Sequence, residues 1–98
     1  MSFEDPDTDE EPSVGVKERH RRYFIAVSNS LRRKILRILK GEDATLEVLQ
    51  SRTGLDLETL KWHLSMLEYG FCVEREVRGS ATFYKLTKEG RVIDYLRE

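Results

Sequence analysis

Cysteine occurs once in these 98 residues, at Cys72, and proline twice, at Pro6 and Pro12. A lone thiol forms no intramolecular disulfide and cannot build a cysteine-rich zinc site. No apolar run approaches the roughly 20 residues of a membrane span, and the first residues show no signal-peptide pattern. A cytoplasmic protein is therefore expected. Missing too are a glycine loop that could cradle phosphate, a nucleophile–base pair and a close pair of carboxylates, so no enzyme is expected. His20 and His63 lie far apart in the chain, and three or four converging ligands cannot be assembled. No metal and no cofactor are expected. His63 reads as a structural histidine at the core edge, and Cys72 as a small buried hydrophobe.

What is present suits one domain with a modest core. The net charge of −1 conceals a division. Residues 1–11 hold six acids (Glu4, Asp5, Asp7, Asp9, Glu10, Glu11) and no base, leaving 17 basic and 12 acidic residues, net +5, in residues 12–98. A mildly basic body suits nucleic acid. Residues 1–15 are acidic, carry both prolines and lack periodicity, which predicts a disordered tail. Such a tail solubilises the chain or competes as a phosphate mimic for its basic surface. Residues 16–98 are expected to be the domain.

Along it, Val16, Tyr23, Phe24 and Val27 fit a first helix over Val16–Val27. Ser30 then caps a second, Leu31–Lys40, with Leu31, Ile35, Ile38 and Leu39 as its apolar stripe and Arg32, Arg33, Lys34 and Arg37 outside it. Thr45 caps a short third helix, Leu46–Thr53, and Gly54-Leu55-Asp56 turns the chain. The fourth, LDLETLKWHLSMLEYG, has Asp56 as cap, a seam of Leu57, Leu60, Leu64 and Leu67, and Gly70 as terminator. Its opposite face holds Glu58, Lys61, Trp62 and Ser65. An exposed Trp beside a Lys makes sense if that face enters a groove or docks on a partner. After Gly70 the period falls to about two: Phe71, Val73 and Val77 alternate with Cys72, Glu74 and Glu76. Arg78–Ala81 turn, Thr82–Leu86 return, and Thr87 caps a last helix, Lys88–Arg97. The fold class is mainly α with a small β-hairpin: a winged helix-turn-helix whose wing precedes a C-terminal helix.

Two stretches carry a family resemblance. AVSNSLRRKILRIL resembles the opening of ArsR-like regulators. LEVLQSRTGLDLETLKWHLSMLEYGFCVEREVRGSATFYKLTKEG is similar to their helix-turn-helix and wing, notably at His63-Leu64, Leu67, Gly70-Phe71 and Tyr84-Lys85-Leu86-Thr87. The likeness runs from about Ala26 to Gly90 and extends to MarR-like prokaryotic winged-helix regulators. It implies a homodimer packed through the first and last helices, for which Tyr23, Phe24, Val27, Val92, Ile93, Tyr95 and Leu96 supply apolar surface. The cysteine motif of its metal-sensing members is absent, and the resemblance names no effector.

The expected partner is double-stranded DNA, with the helix 57–69 in the major groove and the wing 71–86 on the backbone or minor groove. Lys61 and Ser65 would meet bases or phosphates, Trp62 a thymine methyl or sugar edge, and Thr59 a phosphate. Arg78 would reach the minor groove or backbone with Arg75 and Lys85 behind it, and the helix start at Thr45 would offer amides to a phosphate. Glu58 would accept from a cytosine amino group or serve the helix dipole. The alternative is a protein-interaction module in which Trp62 is the anchor.

Overall fold

The computed structural model describes residues 14–91. Four helices, α1 (Val16–Val27), α2 (Ser30–Gly41), α3 (Leu46–Thr53) and α4 (Leu57–Tyr69), precede an antiparallel hairpin of β1 (Val73–Arg78) and β2 (Ala81–Leu86). The expected tail, residues 1–15, lies outside the described residues apart from Val14 and Gly15, and most of the expected final helix does too. Thr87 does cap the turn that follows the wing: its Oγ1 accepts from Gly90 N at 3.0 Å and donates to the Phe71 carbonyl.

Local chemistry sets the helix boundaries. Asn29, rather than the expected Ser30, caps α2, because its side-chain oxygen accepts from the amides of both Leu31 and Arg32 at 2.8 and 3.0 Å. Thr45 caps α3 as expected, accepting from Val48 N. Gly54, at φ 75°, closes α3 in the left-handed conformation that costs glycine little. Three residues separate α3 from α4, and the pair is the helix-turn-helix.

Gly70 follows the last residue of α4, as expected of a terminator. The left-handed residue is Phe71, at φ 65°, and not Gly70. Phe71 N donates to Glu68 O at 3.0 Å and Cys72 N to Leu67 O at 2.8 Å, the paired bonds of a Schellman cap. Gly70 is needed for room instead, since a Cβ there would lie 2.4 Å from Ala26 Cβ. The Phe71 ring is held under the Arg19 guanidinium, 3.9 Å away. With the strand starting only at Val73, Cys72 and Val73 are both buried and Val77 is 71% exposed, which corrects the expected alternation.

The core joins Ile35, Leu36 and Leu39 of α2 to Leu49, to Leu60, Leu64 and Leu67 of α4, and to Tyr84 and Leu86 of β2. Leu57 and Leu31, expected in the apolar seams, are exposed, whereas Leu36, outside the expected stripe, is fully buried and Ile38 packs partly buried against the core. The wing turns through Gly79-Ser80, with φ positive at Gly79 alone (64°), the pattern of a type II′ hairpin. Ala44 and Tyr84 exchange both backbone bonds (3.1 and 2.7 Å), so the α2–α3 linker adds a bridge to β2 and fixes the wing beside the helix-turn-helix. Among the described residues no helix is long and apolar enough to cross a membrane.

Candidate nucleic-acid interface

The outer face of α4 is laid out by its cap. Asp56 accepts from Thr59 N at 3.4 Å and from Thr59 Oγ1 at 2.7 Å, and these bonds hold its carboxyl below the usual range. Thr59, partly exposed, is thereby engaged in capping. Glu58, Lys61, Trp62 and Ser65 are exposed, as their spacing predicts, and Ser65 Oγ donates to the Trp62 carbonyl at 2.7 Å. Trp62 is 55% exposed. Its ring meets His63 edge-on at 5.0 Å and lies 5.4 Å from the Arg32 guanidinium.

Arg32 and His63 are the two buried polar side chains among the described residues. Arg32, expected on the outer side of α2, is only 5% exposed. The signal was present: it stands three, four and seven residues before Ile35, Leu36 and Leu39, on the apolar stripe itself. Arg32 Nη1 lies 3.2 Å from His63 Nδ1. An arginine has only donors, so Nδ1 must be the acceptor and the ring neutral with its proton on Nε2. Burial, and then the charge of Arg32, lower the His63 pKa.

That depression sets a pH dependence. A histidine held neutral in the fold titrates normally once unfolded, so the unfolded state binds more protons below its ordinary pKa of 6.5. Its contribution to stability should be fully present above about pH 6.5 and be lost as pH falls through the depressed folded value. Urea midpoints measured from pH 8 to 5 should decline in that lower window, and His63→Leu should flatten the decline. A decline identical in both proteins would place the titrating group elsewhere.

The wing cations are occupied. Arg75 pairs with Glu68 at 2.8 Å and Lys85 with Glu76 at 3.3 Å. Arg78 pairs with Asp43 and Glu76 and lies over the Phe83 ring at 4.6 Å. It folds back towards the α2–α3 linker instead of extending from the wing tip. Thr45 borders a cleft of about 400 Å³ with Leu46, Glu47 and the Ser80–Thr82 segment. Charge is segregated as well: residues 16–41 hold nine bases and one acid, whereas residues 42–86 hold five bases and eight acids. Long-range attraction for a polyanion therefore resides in α1 and α2.

Of the expected dimer residues, Phe24 is 62% exposed and Tyr23 half-buried; both line a cleft of about 290 Å³ with Arg19, His20 and Glu89. The Tyr23 hydroxyl is buried without a hydrogen-bond partner among the described residues. Val27 is 5% exposed and belongs to the monomer core, where it packs at the α1 C-terminus, so it is removed from the expected interface. Val92, Ile93 and Leu96 lie outside the described residues. Burial pushes the Cys72 thiol up to about 12, which keeps it protonated and unreactive.

Four helices closed by a two-stranded wing, with α3 and α4 joined by a tight turn, define a winged helix-turn-helix. Solved structures of ArsR-family winged helix-turn-helix regulators match over most of the chain. HlyU from Vibrio cholerae is 25% identical with a TM-score of 0.70, covering 81% of this chain and 88% of its own. The homodimeric winged helix-turn-helix DNA-binding domain of Mb0332 from Mycobacterium bovis, a possible ArsR-family regulator, is 24% identical at TM-score 0.74, covering 97% and 85%. An ArsR-like transcriptional regulator from Rhodococcus is 24% identical at TM-score 0.71, covering 84% and 82%. The matches whose role is stated are transcriptional regulators, not enzymes. No protein-family model and no curated protein matches the sequence.

Proposed function

We propose that this protein is a cytoplasmic, double-stranded-DNA-binding transcriptional regulator that acts as a homodimer. In this reading residues 16–98 are the DNA-binding unit and 1–15 an acidic tail. The α4 helix, residues 57–69, enters the major groove. Lys61, Trp62 and Ser65 meet the duplex there, and the wing, 71–86, lies along the backbone or minor groove. The observation that carries it is the α4 face: a half-exposed Trp beside Lys61, on the second helix of a helix-turn-helix, its ring in contact with the buried His63 and near the buried Arg32. For the wing to engage phosphates, Arg75, Arg78 and Lys85 exchange their carboxylate partners for the duplex, and the bases of α1 and α2 supply the remaining attraction. Two-fold packing through Phe24 and Tyr23 of α1 accounts for the exposed apolar cleft, and it pairs two α4 helices for two half-sites. The excess of acids over residues 42–86 favours a second reading, a protein-docking face anchored by Trp62.

The two readings separate in one titration. Trp62 is the only tryptophan, so its emission reports the α4 face alone. Mixed-sequence duplex should quench it at low salt, with log affinity falling linearly against log salt. Emission unchanged by duplex at low salt would overturn the regulator and leave the protein-docking face.

A further inference from the structure

Arg32 is a buried cation with no carboxylate paired to it among the described residues. Its charge is instead set against the end of α1. Nε donates to Ala26 O at 2.7 Å and Nη2 to Ile25 O at 3.3 Å, carbonyls of the helix terminus where the dipole is negative. The third arm, Nη1, crosses to His63 Nδ1 on α4 at 3.2 Å, and the guanidinium carbon sits 5.4 Å from the centre of the Trp62 ring. Neighbouring Arg33 donates to Val27 O at 2.7 Å, so two arginines of α2 cap the last turn of α1, which has no basic residue of its own. Arg32 goes on to touch α4.

We propose that Arg32 is the positioning residue of the α4 face: it locks the His63 ring and, with it, the outward orientation of Trp62, from an anchor at the C-terminus of α1. The chemistry explains the choice of residue. Three divergent acceptors require the rigid fork of a guanidinium, which a lysine ammonium on a flexible stem cannot reproduce. An indole braced by an imidazole and a cation presents one orientation to its partner, so less freedom is lost on binding. The consequence for binding rests on the reading that the Trp62 face meets DNA; the positioning itself does not.

The test compares Arg32→Lys with Arg33→Lys in the full chain. Both weaken the cap on α1, and the first also breaks the hydrogen bond to His63 on α4. In free protein, acrylamide quenching of Trp62 should rise about twofold in Arg32→Lys, the room left between 55% exposure and a free indole, and should stay at the parent value in Arg33→Lys. Duplex affinity should fall about tenfold in Arg32→Lys alone, the scale seen when support behind a ligand-binding group is removed. Should Arg32→Lys not fold, His63→Leu severs the same link from the α4 side and should show the same rise in quenching. Unchanged Trp62 quenching in whichever of these folds overturns the positioning role, even if duplex binding by the parent is intact. A parent protein that ignores duplex while the quenching difference persists would overturn the DNA reading and leave the positioning role standing.

Discussion

Gly70→Ala should destabilise the fold by roughly 3 kcal/mol, the upper range for overpacking a well-filled core. The new Cβ would lie 2.4 Å from Ala26 Cβ and 2.8 Å from Arg22 O. Neither neighbour can yield by rotating a side chain: one is a methyl fixed to the backbone in a fully buried position, the other a helix carbonyl. The contact is relieved only if α1 lifts off the end of α4, which would open the core around Ala26 and Val27. At roughly 4–8 °C per kcal/mol for a domain of this size, the melting temperature should fall by about 15 °C or more. Gly41→Ala is the matched control, because that glycine has nothing within 4 Å of a built Cβ and ends α2 in the open. It should be neutral or up to about 1 kcal/mol stabilising. Adding Ala26→Gly to Gly70→Ala should recover part of the loss, since the two sites share one contact. Equal melting temperatures for Gly70→Ala and the parent protein would mean that α1 does not press on α4 as described.

Trp62→Ala should weaken duplex binding by about 10- to 100-fold while leaving stability nearly unchanged. A half-exposed anchor contributes more to an interface than to the fold, and losing a central aromatic contact costs about 2 kcal/mol or more. Because the variant lacks the fluorophore, binding has to be followed by the anisotropy of a labelled duplex. Glu58→Gln is expected to act in the opposite direction. It removes an exposed carboxylate from the first turn of the same helix, where phosphates approach. Tighter binding by Glu58→Gln together with weaker binding by Trp62→Ala is the signature of a groove-facing α4. Unchanged affinity in Trp62→Ala would take this face off the DNA.

Much of the layout was legible because the rules that produced it are local. Leucines three and four apart define α4, Asp56 and Thr45 announce helix starts, and a glycine turn between short runs marks the wing. The errors fall where a short-range rule met a longer-range demand. Arg32 reads as lying off the apolar stripe of α2 because a cation among cations reads as solvated, yet the carbonyls of α1 and the ring of His63 offset the cost of burying it. Gly70 ends α4 as its place in the sequence suggests, but it is packing against Ala26 that requires a glycine there, and the positive φ of the cap falls to Phe71. Asn29 outcompeted Ser30 because a side-chain amide oxygen one residue earlier reaches two helix amides at once.

The candidate site divides in the same way. By itself the sequence determined which side chains α4 turns outward, since a 100° step per residue allows no other assignment once Leu60, Leu64 and Leu67 face the core. It also determined that positive charge is concentrated before residue 42. Only the tertiary structure decided what those outward groups are able to do. Trp62 is backed by an arginine thirty positions away in sequence, Arg78 is drawn to Asp43, and Arg75 and Lys85 are met by Glu68 and Glu76. Periodicity records the direction a residue faces along its own element. The strength of a charge or a ring depends on which distant groups come within a few ångströms of it, and that is set when the elements pack.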